Sequence, residues 1–201
     1  MSSFDKNPKA IFNNIKELLI IGAKDRKHSF HTPVFSNISY DNLNSSRIVV
    51  LRRFNEDSLT LNFHTDYRSP KINNLKKNNM SNFVFYDPKI KIQLRIKTIS
   101  EIHYNDDVAK KAWLETRLFS RKCYLTKKSP SSLTNKAEDS IPEHLKGVDP
   151  TKDESEIGYI NFSVIKNIIQ EIDWLYLASS GHRRLKITFK NNKSIFEWVI
   201  P

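Results

Sequence analysis

The hydrophobic positions of this chain change period early. Ile11, Ile15, Leu18 and Leu19 recur at helical spacing up to Gly22, which lines them along one helix face. Asn7 supplies a capping side chain and Pro8 suits the first helical position. The spacing predicts an amphipathic helix over 8–22, within an N-terminal segment 1–25, followed by a basic, polar stretch over 24–31. Beyond it the period shortens to two. Residues 47–54 (RIVVLRRF), 58–64 (SLTLNFH) and 82–86 (NFVFY) are β-branched and aromatic between turn residues, and read as strands. The clearest strand is 91–104, where Ile92, Leu94 and Ile96 point one way and Gln93, Arg95 and Lys97 the other. A weaker strand at 34–38 and three closing ones at 171–177, 184–190 and 194–200 bring the expected number to eight. The links 55–57 and 191–193 read as hairpin connections.

Two shorter helices are expected among the strands. Ser69-Pro70 starts one that runs through Lys77 and buries Ile72 and Leu75. Asp106-Asp107 starts another, past Ala109, Trp113 and Leu114 to about Phe119. Many short strands with few helices predict a mainly β fold with peripheral helices, a barrel or a sandwich. Residues 126–156 differ in kind, being rich in Ser, Lys, Pro, Asp and Glu with scattered aliphatics. That composition reads as a mobile excursion or lid. At 201 residues, with 38% hydrophobic and 11% aromatic positions, the whole of 1–201 is expected to form one domain with a proper core.

Charge narrows the partners. Thirty-three Lys and Arg against 22 Asp and Glu give a net +11, which favours anions: nucleic acid, a phosphorylated small molecule or an acidic surface. One cysteine, Cys123, excludes an internal disulfide framework and a multi-cysteine metal site, and no metal is expected. Its role is read as structural. No apolar run approaches the length of a spanning helix and no secretory signal pattern is legible, so a cytoplasmic protein is expected. No Ser/His/Asp or Cys/His arrangement suggests a protein nucleophile.

The most informative short segment is Arg68-Ser69-Pro70-Lys71. A helix start leaves backbone N–H groups open at the positive end of the dipole, and Arg68 and Lys71 beside it make an anion pocket, most naturally for phosphate. His64 and Thr65 lie just upstream. Three further basic groups complete the set: Arg47 and Arg52, which bracket an apolar run and fall on opposite faces by alternation; Gln93 and Arg95 on one polar face; and His182, Arg183 and Arg184 at a strand start.

Taken in order, Arg47-Ile48-Val49-Val50-Leu51-Arg52, His64-Thr65, Arg68-Ser69-x-Lys71, Gln93-Leu94-Arg95 and His182-x-Arg184 resemble the pyridoxamine 5'-phosphate oxidase-like family. The ending Phe196-Glu197-Trp198-Val199-Ile200-Pro201 is similar to that family's C-terminus. The resemblance covers roughly 47–201 without the polar excursion. It implies an FMN-binding split β-barrel of Greek-key type that works as a homodimer, with FMN at the two-fold interface. It implies further that Arg47 through Arg52 line FMN, that Arg68, Ser69 and Lys71 hold its 5'-phosphate, that His64 and Thr65 sit near it, and that Gln93, Arg184 and Trp174 (or Leu175) contact it. Arg117 and Ser120 match residues that hold a substrate phosphate, Trp113 stands where a substrate-contacting tyrosine would be, and His182 would orient the reacting end as a catalytic residue. The expected reaction is oxidation of pyridoxamine or pyridoxine 5'-phosphate. One departure stands out: Ser180 occupies the place of a substrate-contacting arginine. Two other readings remain open, an FMN-binding split barrel without oxidase turnover and a basic nucleic-acid-binding β-barrel.

Overall fold

The structure is a computed structural model that describes residues 6–191 and 193–201. Its first helix, α1 (Pro8–Lys24), forms as the spacing predicts. The Asn7 side chain accepts from Lys9 N and Ala10 N, and Ile11, Ile15, Leu18, Leu19 and Gly22 are buried. Gly22 is required there by a close approach, since a Cβ would stand 2.7 Å from Phe30 Cβ.

Among the described residues nine strands form one antiparallel sheet: β1 (Val34–Ile38), β2 (Asn44–Ile48), β3 (Arg53–Asn55), β4 (Thr60–Asp66), β5 (Met80–Asp87), β6 (Ile92–His103), β7 (Phe162–Tyr176), β8 (Arg183–Lys190) and β9 (Lys193–Val199). The order is β2-β1-β5-β6-β7-β4-β3, with β8 on β7 and β9 on β8. The expected single strand over 47–54 is therefore two strands at opposite ends of the sheet. Between them, residues 49–52 leave the ladder: Val49 N donates to Pro33 O, Leu51 N to His31 O, and Arg52 N to Asn62 O on the other side. From Ile48 to Arg53 an extended chain reaches about 17 Å, whereas seven flat strands would hold their edges about 29 Å apart. The sheet has to curl, so it is a barrel split along the seam that this link crosses.

The second correction concerns β7. The sequence shows a strand only from 171, but the strand begins at Phe162. One edge of β7 pairs with β6 over most of its length, and the other is shared between β4 (Thr60↔Ile168 through Asp66↔Phe162) and β8 (Glu171↔Thr188 through Tyr176↔Arg183). The register with β6 shifts between Lys97 and Thr98, which face Glu171 and Ile169. Gln170 is therefore an extra residue, a bulge that swaps the inner and outer faces of the strand beyond it. Ile165 and Ile169 point inward before it, Ile172 and Trp174 after it.

Inside the barrel, Phe35, Phe63, Phe83 and Phe85 pack with these residues and with Leu94, Ile96, Leu185 and Ile187. Helix α2 (Pro70–Lys77) buries Ile72 and Leu75 as expected. Helix α3 (Asp107–Glu115), capped by Asp106, stops earlier than expected, and a separate turn, α4 (Leu118–Arg121), comes next. A smaller core of Ala109, Trp113, Tyr124, Phe162 and Val164 joins α3 to the outer side of β7. The 126–156 stretch is tied down at several points. Arg68 binds Thr126, Lys122 Nζ donates to Val148 O, and buried Arg121 binds Glu156 Oε1 at 2.6 Å and Ser155 Oγ at 3.0 Å. Its end forms α5 (Lys152–Glu156) behind a Thr151–Glu154 capping box. No helix among the described residues is long and apolar enough to cross a membrane.

A buried polar network joins four strands, β4, β5, β6 and β7, inside the sheet. Asn167 is fully buried, accepts from Ser100 Oγ and donates to Leu61 O and Ile165 O, while Ser81 bonds both Thr98 and Ser100. Replacing Asn167 with Leu strands the Leu61 carbonyl and weakens Ser100, and should lower the unfolding free energy by about 2–4 kcal/mol. Urea denaturation checks this; a loss below about 0.5 kcal/mol would mean the network contributes nothing net.

Candidate functional site

Thr65 and Asp66 end β4, and the chain turns through Tyr67 and Arg68 into α2. Ser69 is the N-cap of α2, but its hydroxyl makes no cap bond. Instead Lys71 Nζ donates to Ser69 Oγ and to Thr65 Oγ1, both at 2.7 Å. Burial and then the repulsion of Arg47 lower the Lys71 pKa to about 8, against a smaller pull from Asp66. Arg47 is itself oriented, donating to Asn37 Oδ1 and Ser45 Oγ and lying 5.7 Å from the Phe35 ring centre. Two cations thus converge with two hydroxyls and an uncapped helix start. That donor set suits a phosphate dianion.

Arg68 is engaged differently. Its Nε and Nη2 grip Asp66 at 3.0 and 2.7 Å, and its Nη1 and Nη2 reach Thr126 O and Oγ1 at 3.1 and 3.0 Å. Asp66, which sequence reading missed, neutralises it and raises its pKa. The only signal was an acid two residues before the arginine.

A second group lies on the outer face of β6, β7 and β8. Gln93, Leu175 and Arg184 are register partners across the three strands. Beside them the carboxylate of Asp173 accepts from Arg95 Nη2 at 2.5 Å and from Arg184 Nη2 at 2.7 Å and Nε at 3.0 Å. These partners hold the Asp173 pKa below the usual carboxylate range despite its burial. The structure therefore brings Gln93 and Arg184 together. Trp174, however, is 1% exposed in the core, because the bulge at Gln170 turns it inward; the outward neighbour is Leu175. Trp174 is thus corrected from a cofactor contact to a packing residue.

The third group lines a cavity of about 550 Å³ between the end of α1, the β3–β4 pair and α3–α4. Arg52, His64, Arg117 and Ser120 all face it. Arg47 and Arg52, at the two ends of the 49–52 link, thus serve different sites. Within the apolar run, Val49 and Leu51 are in the core while Ile48 is 68% exposed and Val50 half-buried; Val49 and Leu51 are corrected to core side chains. His64 lies on the opposite face of β4 from Thr65. Burial and the nearby Arg52 lower its pKa to about 3, so its ring is neutral. Trp113 is also corrected. It is 2% exposed, donates from Nε1 to Glu156 Oε2 at 3.0 Å and lies under the Arg121 guanidinium, so it packs rather than lines the cavity. His182 is exposed in the β7–β8 connection. Among the described residues no group of His, Cys, Asp and Glu could hold a metal ion.

Residues 13–103 match the model of the family described as "Pyridoxamine 5'-phosphate oxidase, FMN-binding domain". Among solved structures, the chain is similar to a pyridoxamine 5'-phosphate oxidase-related, FMN-binding protein from Nostoc punctiforme, with a TM-score of 0.73, 17% identity, and 94% of this chain and 96% of that one covered. It is equally similar in fold to PhzG from Burkholderia lata 383, solved with tetrahydrophenazine-1-carboxylic acid (TM-score 0.73, 15% identity, 100% and 97% covered). A Clostridium acetobutylicum protein related to general stress protein 26 is more distant (TM-score 0.52, 12% identity, 96% of each chain). No curated protein matches. The resemblance read from the sequence is borne out, as is the fold: a mainly β split barrel with peripheral helices, its sheet not closed by a continuous ladder.

The Lys71 pKa gives a pH test. A group with its pKa lowered to about 8 is charged below that pH and must take up a proton to receive an anion above it. Inorganic phosphate, measured by calorimetry, should bind about equally between pH 7 and 7.5 and lose affinity by up to about tenfold per unit above pH 8. A flat profile to about pH 9.5 would show that Lys71 does not carry the anion.

Proposed function

The chain is pyridoxamine 5'-phosphate oxidase-like in its matched segment and in its fold, and from that premise we propose that it is an FMN-binding flavoprotein acting on a phosphorylated small molecule in the cytoplasm. The observation that carries this is the buried Lys71 ammonium between two hydroxyls, beside Arg47. Two like charges held together at a helix start are stabilised by a dianion. Lys71, Ser69, Thr65 and Arg47 would hold the FMN phosphate; Arg68, committed to Asp66 and Thr126, shapes the turn that presents them.

The outer sheet face supports a homodimer. Ile48, Val34 and Tyr86 are exposed there at 68%, 37% and 46%, on the same sheet as Gln93 and Arg184. An apolar face with polar edges suits a flavin ring covered by a second copy. Bound FMN would supply two-electron redox chemistry, so that the protein needs no nucleophile of its own. The cavity then serves as the substrate site. Arg117 and Ser120 anchor a phosphate, Arg52 adds charge, His64 stays neutral and excludes water, and His182 orients the reacting end from its connection. Pyridoxamine and pyridoxine 5'-phosphate are the substrates to try first.

A reading without turnover is favoured by one observation. The substrate-contacting positions that resemblance assigns to Ser180 and Trp113 hold, respectively, a serine in place of arginine and a buried packing residue. The purified protein should show flavin absorption that survives desalting after loading with FMN. Lys71→Ala should keep the fold and weaken FMN by about 10- to 100-fold. A protein that stays colourless with excess FMN would overturn the proposal. Retained flavin with no hydrogen peroxide formed from either phosphate would select the reading without turnover.

A further inference from the structure

Two carboxylates stand on the outer face of β7, two residues apart, and each is gripped from both neighbouring strands. Glu171 meets the ammonium groups of Lys97 on β6 at 3.1 Å and of Lys186 on β8 at 3.5 Å. Asp173 takes Arg95 from β6 and Arg184 from β8. The two are not equivalent. Lysine is a point charge on a flexible stem, whereas an arginine forked on a carboxylate has its plane fixed. Asp173 receives Arg184 through both Nε and Nη2, and the carboxylate is buried, so little water competes for it.

That fork leaves Arg184 Nη1 without a partner among the described residues. Arg184 is only half-buried, so this edge of the guanidinium is open to a ligand. Register pairing sets Tyr86, Gln93, Leu175 and Arg184 in one row across β5, β6, β7 and β8. The adjacent row runs Val84, Arg95, Asp173 and Lys186. Rows on one face are about 7 Å apart along a strand. The carboxylate therefore lies within electrostatic reach of anything placed on Gln93, Leu175 and Arg184.

We propose that Asp173 is a positioning residue for the flavin: it aims Arg184 at the ring and, by cancelling one of the two arginine charges, keeps the ring harder to reduce than the arginines alone would make it. The inference rests on reading this outer face as the place where FMN lies, and adds the group that sets its potential. Two-electron reduction of FMN with uptake of one proton leaves the ring with one more negative charge, which nearby cations favour and a carboxylate opposes. Arg95 and Arg184 bring two positive charges to this place, and Asp173 lowers the sum to one.

Variants on the two sides of the pair test this with opposite signs. FMN affinity is measured by fluorescence titration for the natural chain, Asp173→Asn, Asp173→Glu and Arg95→Gln. The midpoint potential of each FMN-loaded protein is measured during slow reduction by xanthine and xanthine oxidase beside a reference dye. Asp173→Asn should raise the reduced-to-oxidised ratio at a given potential about tenfold, a shift of about 30 mV for a two-electron couple. It should also weaken FMN by about 3- to 10-fold, because Arg184 loses its fork. Arg95→Gln removes a cation whose side chain is 47% exposed, keeps the fold, and should move the potential the other way. Asp173→Glu restores the charge and should keep the ratio within about twofold of the natural chain. Potentials that stay put, or that move in the same direction in Asp173→Asn and Arg95→Gln, overturn the inference and leave the pair as a strut of the sheet. Should Asp173→Asn fail to fold, the sign of the Arg95→Gln shift decides. A natural chain that retains no FMN instead overturns the reading of this face as the flavin site.

Discussion

Four residues, 49–52, connect the two ends of a seven-strand path, and most of the structure is a result of how short they are. The link cannot cross the width of a flat sheet, so the sheet bends until its edges approach. Because the chain passes from one edge to the other, the side chains at its two ends diverge. Arg47 faces the helix start of α2, and Arg52 faces the cavity under α3. Val49 and Leu51 anchor the crossing in the core. The link is thus both a closing strap and the shared wall of two anion-seeking places.

Charge is distributed by the same geometry. The net +11 is not spread as an even solvated coat. Asp66 and Asp173 each neutralise the arginines beside them and fix their direction, a buried carboxylate being tolerable only when so paired. Cations without an ion pair come together at two places: Lys71 with Arg47, where burial and then the arginine's charge lower the lysine pKa, and the cavity rim. Fixed, paired arginines set the shape of the surroundings, and unpaired cations keep their charge available for a ligand.

The sequence made much of this legible. Helix spacing located α1 and α2, alternation assigned the faces of β6 correctly, and the order of basic motifs led to the family whose model matches residues 13–103. The misses have physical reasons. A strand covered on both sides loses its alternation, so the first half of β7 (FSVIKNIIQ) shows no period of two. A bulge at Gln170 then reverses inside and outside, which no count along the chain could reveal, and Trp174 fell on the wrong face. Trp113 was misread because its partners, Tyr124, Phe162 and Arg121, arrive from elsewhere in the chain. Asp173 draws its meaning from register neighbours rather than from sequence neighbours.

The placement of β7 has a consequence for biosynthesis. It is the neighbour of β4, β6 and β8, and its pairing with β4 spans about a hundred residues, Asp66 to Phe162. While the ribosome is still making the excursion, β6 and β4 each expose an unpaired edge, and the inner faces of Phe63 and Ile96 lack the strand that covers them. Such edges invite pairing with other chains. The segment that carries the family match, 13–103, ends before β7 begins. It holds most of the recognisable motifs but not the strand that pairs with both β4 and β6, so the barrel can be completed only after β7 emerges.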